Sequence, residues 1–452
     1  VSGGGGRCRS SLQASRVKRA APHKIDWRLV VEGIAVSRSL LIMLFTSFGF
    51  FFVTATTFTT LGYVLYTMVG ELGWSQAAAG MSFSCLGLAC GLSSPLAPML
   101  MKWMGTRLTM FTGGLVLSLG FLLASSVHDI GVFFIATSLM GTGFSLVAPS
   151  PAVFLIASWF PKTSPRMIGF YFMAGALGGV AGPLVASWLV GLTGSWRVYW
   201  LVMSAAAAVL AIILFGTIRD AVKVESIEQV MHAADGDGPA SGVSPWTLRQ
   251  AMMSPAFLVI VFALVIVQTV VTTMHSVLVP HVASLGGGSA PGALAMSVLA
   301  LSGTITKGVT GAMSERISPK WLMVGGLGLE AFSMMVLSAT SLPALALLFA
   351  VLFGIGWGLS WLCGHVLMIR YFGAGLAADL TATATTATTI AVLGPLSAGW
   401  VADRTGSFAP IFLVFIGLLV LAVIVTAVLL RAPGARATAP LRFDEPQLVP
   451  AE

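Results

Sequence analysis

Charged residues cut this chain into long apolar stretches. Residues 39–70, 72–101, 108–127, 130–161, 167–196 and 198–218 carry no Asp, Glu, Lys or Arg. Residues 250–306 are also charge-free, but Pro280-His281 and Gly286-Gly287-Gly288 divide them in two. The set is completed by 321–340, which Glu330 alone interrupts, and by 342–369, 380–402 and 405–430. A hydrocarbon core about 30 Å thick takes roughly 20 helical residues at about 1.5 Å each. Each stretch therefore reads as one membrane-crossing helix, numbered span 1 to span 12 below. Within a bilayer only helices and closed barrels satisfy their own backbone, and apolar runs this long without strict alternation predict helices. The expected fold class is an all-α polytopic membrane protein.

Composition supports the same class. Of 452 residues, 57% are hydrophobic and only 9% charged, where a soluble domain carries about 25% charged residues. A soluble enzyme, a coiled coil and a disordered chain are excluded. All but three of the 24 basic residues fall in the N-terminal arm, the loops after even-numbered spans and the C-terminal tail. The exceptions are Arg197 and Arg404 in outer loops and Lys307 inside span 8. Because cytoplasmic segments collect Lys and Arg, both termini are expected in the cytoplasm of a multi-pass plasma-membrane protein. The net charge of +8 is then a topology signal and calls for no nucleic-acid partner. The chain divides into a basic arm (1–38), a first bundle (39–218), a linker (219–253), a second bundle (254–430) and a tail (431–452). In the linker Asp235-Gly236-Asp237-Gly238-Pro239 reads as flexible, and Trp246–Met253 as a short amphipathic helix on the membrane surface. Cys8 lies in the arm and Cys85, Cys90 and Cys363 in spans, so no disulfide framework follows. There is no metal-ligand spacing, phosphate-binding loop or nucleophile elbow. No cofactor or metal, no enzymatic activity, and a monomer in the lipid bilayer are expected.

The chain also repeats itself. Leu72-Gly73 recurs as Leu285-Gly286, Arg107 as Lys320, and Thr56, Thr59 and Thr60 as Thr269, Thr272 and Thr273, at one constant offset. Phe160, Gly182-Pro183 and Gly194-Ser195 recur with the same spacing as Phe372, Gly394-Pro395 and Gly406-Ser407. Two six-helix units joined by a basic linker are the pattern of a transporter whose site lies near the membrane midplane between the halves.

These residues resemble the major facilitator superfamily over nearly all of the chain after the arm. The family's loop signature, Gly-x-x-x-Asp-Arg-x-Gly-x-Arg, corresponds to Gly311, Glu315, Arg316, Ser318 and Lys320 between spans 8 and 9. Between spans 2 and 3 Gly105 and Arg107 remain, while Pro98 and Lys102 replace the first Gly and the acid. A partial third copy lies outside as Gly399, Asp403, Arg404 and Gly406. Gly178, Gly182 and Pro183 match the span 5 signature Gly-x-x-x-Gly-Pro, and Gly394-Pro395 is its second-half counterpart; small residues at this spacing let helices approach closely. Gly73-Trp74-Ser75, Trp159-Phe160-Pro161, Pro245–Arg249 and Thr405–Phe408 look most like the monocarboxylate and oxalate/formate group of organic-anion carriers. The resemblance implies two pseudo-symmetric six-helix bundles, alternating access, and a small organic anion carried with protons or by exchange. It also implies that Lys307, four residues before Gly311, meets the substrate carboxylate. The related carriers have Asp-x-x-x-Arg here; this chain has Gly303 and Lys307, and the helix 1 lysine of that group falls near Thr60. Gly311, Glu315 and Arg316 are expected to latch the inner loop in the outward-open state. The Arg-x-x-x-Gly motif of many proton-coupled drug exporters is missing from span 4, which reads Ser138-Leu139-Met140-Gly141.

Lys307 is the most informative residue, because a charge at mid-helix costs about 2.5–3.5 kcal/mol on insertion scales. At helical spacing it shares a stripe with Ser297, Thr304, Gly311 and Ser314. It binds substrate, pairs with Glu330, or reaches for the inner headgroups. His275 shares a face of span 7 with Gln268 and Thr272 and is a candidate for substrate binding, with Thr60, Thr273 and Thr304. Glu330, His365 and Asp379 are candidates for proton coupling; for each, an ordinary interhelical or surface contact is the competing reading. Ala148-Pro149-Ser150-Pro151 should kink span 4. The threonine runs at 54–60 and 381–389 place hydroxyls on several faces, many of which should bond their own backbone. An exporter of amphipathic compounds and a non-transporting membrane sensor remain as alternatives.

Overall fold

The computed structural model describes residues 27–160, 163–220, 246–339 and 342–433. The arm before residue 27 with Cys8, the Asp-Gly stretch at 235–239 and the tail from 434 lie outside these residues. Contacts divide the chain into Val1–Leu40, whose described residues 27–40 are helical, and Leu41–Glu452, which holds everything discussed below. Span 1 comprises helices Trp27–Thr56 and Phe58–Leu72; span 2 is Gln76–Ser93 and span 3 the C-terminal part of Leu96–Ser125. Span 4 comprises Ile130–Val147 and Ser150–Trp159, span 5 is Ser164–Thr193 and span 6 Trp196–Thr217. A five-residue surface helix, Leu248–Met252, is held by a reciprocal cap between Thr247 and Gln250. Spans 7 to 10 are Pro255–Val282, Ser289–Arg316, Pro319–Ala339 and Leu345–Phe372. Span 11 is assembled from Ala374–Ala387, a 3₁₀ segment Thr388–Val392 and Leu393–Thr405, and span 12 is Ala409–Leu429.

Ten of these helical stretches are long and apolar enough on their own to cross a membrane. The other two of the twelve are spans 2 and 11. They pack on each other from opposite halves: a side chain on Gly80 would strike the Pro395 carbonyl, and Gly87 and Gly91 lie against Val392 and Thr389. Helices that face protein need less apolar surface than helices that face lipid. This is why their composition is rich in Gly, Ala, Ser and Thr rather than in large aliphatic residues.

The breaks follow from local chemistry. Span 4 parts at extended Ala148, just before Pro149, since proline lacks a donor and disfavours helix at the residue before it. The break in span 1, at Thr57, has no proline. The hydroxyls of Thr59 and Thr60 there donate to the carbonyls of Thr54 and Ala55, five residues back. Those carbonyls would otherwise have lost their helical donors in a medium that offers no water. The repeat-related threonines of span 7 lie in an unbroken helix, where Thr269 and Thr273 donate to Val265 and Thr269 at 2.7 Å each.

The glycines that anchor the sequence repeat share one conformation. Gly73, Gly194, Gly286 and Gly406 have φ of 67°, 68°, 91° and 70°, the left-handed region that glycine enters without strain. Repetition at these points is repetition of helix endings. Gly182 and Gly394 are also equivalent in packing: the first lies against the Ala55 carbonyl of span 1, the second against Thr273 and Thr269 of span 7.

At the end of the bundle opposite Arg107, Arg316 and Lys320, the two halves are tied together. Asp403 of span 11 accepts the backbone N–H groups of Gln76 and Ala77, both at 2.8 Å, in the first turn of span 2. Gly399 lies against the Gln76 carbonyl, and Gly62 of span 1 against the His275 carbonyl of span 7. Nearer the middle, the Ser84 hydroxyl donates to the Val392 carbonyl. A carboxylate on the positive end of a helix is favourable through its hydrogen bonds and the helix dipole.

Candidate functional site

Below that seal lies a cavity of about 550 Å³ between the halves, reaching to Gly169 near the start of span 5. The second half supplies its polar wall: Thr304 and Lys307 of span 8, His275 of span 7 and Trp357 of span 10. The first half supplies an aromatic wall: Phe50 and Phe58 of span 1, Phe172 and Met173 of span 5. Phe50 stacks on Tyr171 with ring centres 4.7 Å apart, and both Phe50 and Phe58 meet Phe144 edge-on. The aromatic wall is thus braced from behind by residues outside the cavity.

Lys307 reaches the cavity because residues 300, 304 and 307–308 share one face of span 8. Its Nζ sits over the Trp357 ring, 3.3 Å from the centroid. Among the described residues no carboxylate is in ion-pairing reach of Lys307. A cation on an indole face gains roughly 0.5–2 kcal/mol, and the indole brings no negative charge to pair with it. The His275 ring stands edge-on to the same indole at 6.5 Å, and the indole Nε1 is buried without a partner among the described residues. Space for Trp357 comes from Gly303: a Cβ there would lie 2.8 Å from the ring. The absence of an acid at position 303 and the presence of the indole are therefore one feature.

The cavity brings together Lys307, His275 and Thr304 from the sequence-expected site residues. Thr60 and Thr273 do not line it; their hydroxyls are spent on backbone carbonyls and they pack against Gly182 and Gly394. Thr54 and Thr59 are the span 1 threonines that line the wall, and the Thr54 hydroxyl is buried without a partner among the described residues. Glu330 does not meet Lys307. It is fully buried between spans 9 and 10, where Ser360 donates to its Oε1 at 2.5 Å and its Oε2 has no partner among the described residues. His365 bonds the Trp361 carbonyl through Nδ1 at 2.8 Å, and Asp379 is exposed; neither faces the cavity. Ser297 is buried away from it, and Ser314 donates to the Gly311 carbonyl while its own carbonyl accepts from Arg370.

In the loop motifs, Glu315 and Arg316 are exposed and form no ion pair among the described residues. Gly105 has φ of 83°, which bends the chain into span 3. Arg107 lies over the Phe215 ring at 3.7 Å and donates from Nε to the Phe215 carbonyl at 2.6 Å. The acid missing from this loop is replaced from elsewhere: Asp220, after span 6, accepts the Thr106 N–H at 3.2 Å. Trp357, Asp220 and the aromatic wall were not singled out from sequence. The faint signals were a Trp in mid-span rather than at an interface, and an Asp beside a cluster of basic residues. Among the described residues no group of His, Cys, Asp and Glu has the arrangement of a metal site.

Comparison with known proteins gives a consistent picture. The family described as Major Facilitator Superfamily matches residues 46–392 and 272–451. The chain is 28% identical over 169 residues to the uncharacterized transporter YycB of Bacillus subtilis, covering 36% of this chain and 40% of that protein. It is 30% identical over 158 residues to a multidrug resistance protein B homolog of Mycobacterium tuberculosis, covering 34% and 29%. The matches thus span less than half the length of these relatives. Monocarboxylate transporter 13 of Rattus norvegicus is 23% identical over 334 residues, 72% of this chain and 71% of that one. Among solved structures, the nucleoside transporter NupG superposes with a TM-score of 0.67 at 14% identity, over 88% of this chain and 100% of that one. A bacterial homolog of the human lysosomal transporter Spinster, inward-facing and unoccupied, gives 0.66 at 15% identity, over 88% and 94%.

Proposed function

The chain belongs to the Major Facilitator Superfamily, and from that premise we propose that it is a secondary active transporter of a small organic anion, a mono- or dicarboxylate. The observation that carries this reading is the Lys307 side chain, held in the cavity between the halves by an indole face and, among the described residues, with no carboxylate beside it. With the basic face taken as cytoplasmic, the closed opposite end and the cavity reaching toward the basic face support an inward-open reading.

Binding and movement are linked through that charge. A substrate carboxylate meets Lys307 on the side that Trp357 leaves free, in a charge-assisted hydrogen bond of about 1.5–3 kcal/mol. Closing the walls over an unpaired cation is costly, whereas a neutralised pair can be enclosed. The loaded carrier therefore crosses between states more readily than the empty one, which is the behaviour of an exchanger. His275 is the ionisable side chain nearest Lys307 in the cavity; the coupling candidates Glu330, His365 and Asp379 stand away from it, which favours exchange over symport through them.

Counterflow in proteoliposomes against labelled mono- and dicarboxylates tests the reading. Lys307→Gln should lower anion affinity by a factor on the order of 30 or more, the loss expected when a buried charge is left unpaired. Lys307→Arg should retain part of it. A folded Lys307→Gln variant that binds and carries anions as the original does removes the basis of the proposal. The second reading, an exporter of amphipathic compounds, draws on the aromatic wall of Phe50, Phe58 and Phe172. It predicts counterflow of neutral or cationic amphiphiles, and Lys307 opposes the cationic ones.

A further inference from the structure

We infer that the substrate is an anion with a single charge and a sizeable apolar or aromatic body, rather than a dicarboxylate or a short acid. The inference rests on the anion reading above and adds the chemistry of the rest of the molecule. The cavity is two-sided: one cation on the second-half wall, and Phe50, Phe58, Phe172 and Met173 on the first-half wall. Among the described residues no second Lys or Arg lines it, His275 being the other ionisable group present. Of the cavity-lining hydroxyls, Thr59 is committed to the Thr54 carbonyl at 3.1 Å and Thr304 to the Ala300 carbonyl at 2.7 Å, which leaves that of Thr54 as the one without a partner among the described residues. A second carboxylate at that wall would thus face phenyl rings with a single neutral hydroxyl, Thr54, and no cation beside it, which is unfavourable for a charge. An apolar body there is removed from water instead. Size points the same way. At roughly 30 Å³ for each water-sized group, a six-atom acid fills only about a third of the 550 Å³ available.

The aromatic wall also has the construction of a binding surface. Phe172 keeps 47% of its surface exposed in a chain that buries most aromatic side chains of the bundle interior. It is fixed there by edge contacts to Phe50 at 5.8 Å and Tyr171 at 5.5 Å. Rings held rigid before binding lose little freedom when a ligand covers them, which favours affinity.

Isothermal titration of the purified full chain in lipid nanodiscs decides the matter, with acetate, butyrate, hexanoate, 3-phenylpropionate, succinate and 3-phenylpropionamide as probes. Affinity should rise about fourfold with each methylene from acetate to hexanoate, the factor for burying one such group. 3-Phenylpropionate should exceed acetate by about a hundredfold, and succinate should bind no better than acetate. Phe172→Ala should reduce the preference for 3-phenylpropionate over acetate, with Phe172→Leu restoring part of it. A flat chain-length series, or succinate binding more tightly than 3-phenylpropionate, overturns the inference and leaves the anion reading standing. The amide binding as well as its acid overturns the anion reading, as does failure of every acid to bind a chain that unfolds at its usual temperature.

Discussion

Lys307 stands out in the sequence because a charge in an apolar span has so few inexpensive explanations. Its partner does not, since a tryptophan in a membrane helix has many. The link between them is Gly303, whose missing side chain leaves the space that the indole fills. Gly303→Ala should therefore act on the site without touching the charge. A methyl group 2.8 Å from the ring forces the indole to tilt, since this is far inside ordinary contact. Substrate affinity should fall roughly three- to thirtyfold, matching loss of a cation–π contact of about 0.5–2 kcal/mol. Trp357→Leu should give a similar loss, and the double variant little more than either alone, as expected for two residues acting through one contact. Titration of the four proteins checks this; additive losses would separate the two residues. Residue by residue, Lys307, His275 and Thr304 were legible, while Thr60 and Thr273 were not. Adjacent threonines differ by about 100° around a helix, and an unforeseen break at Thr57 resets which of them faces inward.

Helix breaks show the same division between what sequence states and what packing decides. The break in span 4 could be read from Pro149, whose ring and missing donor act through covalent geometry alone. The break in span 1 could not, because its cause is a set of substitutions of one hydrogen bond for another. Thr60 Oγ1 replaces a backbone donor to the Ala55 carbonyl at the point where Gly182 brings span 5 against that same carbonyl. Thr60→Val keeps the shape and removes the donor. Stability should fall by about 1–2 kcal/mol, the scale for a buried acceptor left without its partner, and Thr60→Ser should restore most of it. Urea or thermal unfolding in detergent measures the difference, and Val as stable as Thr would mean the break is held by packing alone. Spans 2 and 11 were legible as apolar stretches because charges bound them, although neither is a strong membrane helix by itself. Their small residues acquire meaning only in the fold, where each helix is the other's covering.

At the scale of the whole molecule, duplication was the strongest signal in the sequence, and the structure gives its cause in repeated helix endings and repeated close approaches. What duplication cannot state is which end of the bundle is closed. That depends on contacts between halves, and the loop motifs of the two halves differ. The loop between spans 2 and 3 has lost its acid, and Asp220 of the same half now caps it. On the opposite face Asp403 carries the bond across to span 2, so the acid of the partial third motif holds the present state closed. Glu315 and Arg316, by contrast, are exposed and contribute no ion pair to it. The two acids should therefore shift the balance of states in opposite directions. Asp403 accepts the two N–H groups on different oxygens, so Asp403→Asn keeps at most one bond, now neutral, and turns its NH2 toward the other N–H, which destabilises only the state closed at this end. A loss of about 1.4 kcal/mol there moves the ratio of states tenfold toward the one open at this end. On the reading that Glu315 latches the other state, Glu315→Gln should hold the molecule as it is seen here. A single cysteine at Gly308, a cavity position where a Cβ meets nothing within 4 Å, reports on both in a background without the native cysteines. Labelling by an impermeant thiol reagent from the basic face should slow in Asp403→Asn and stay equal or rise in Glu315→Gln. Equal rates in all three proteins would show that the bonds from Asp403 to span 2 merely accompany closure of the outer end, and that the packing of Gly80 and Gly399 across the halves sets the balance instead.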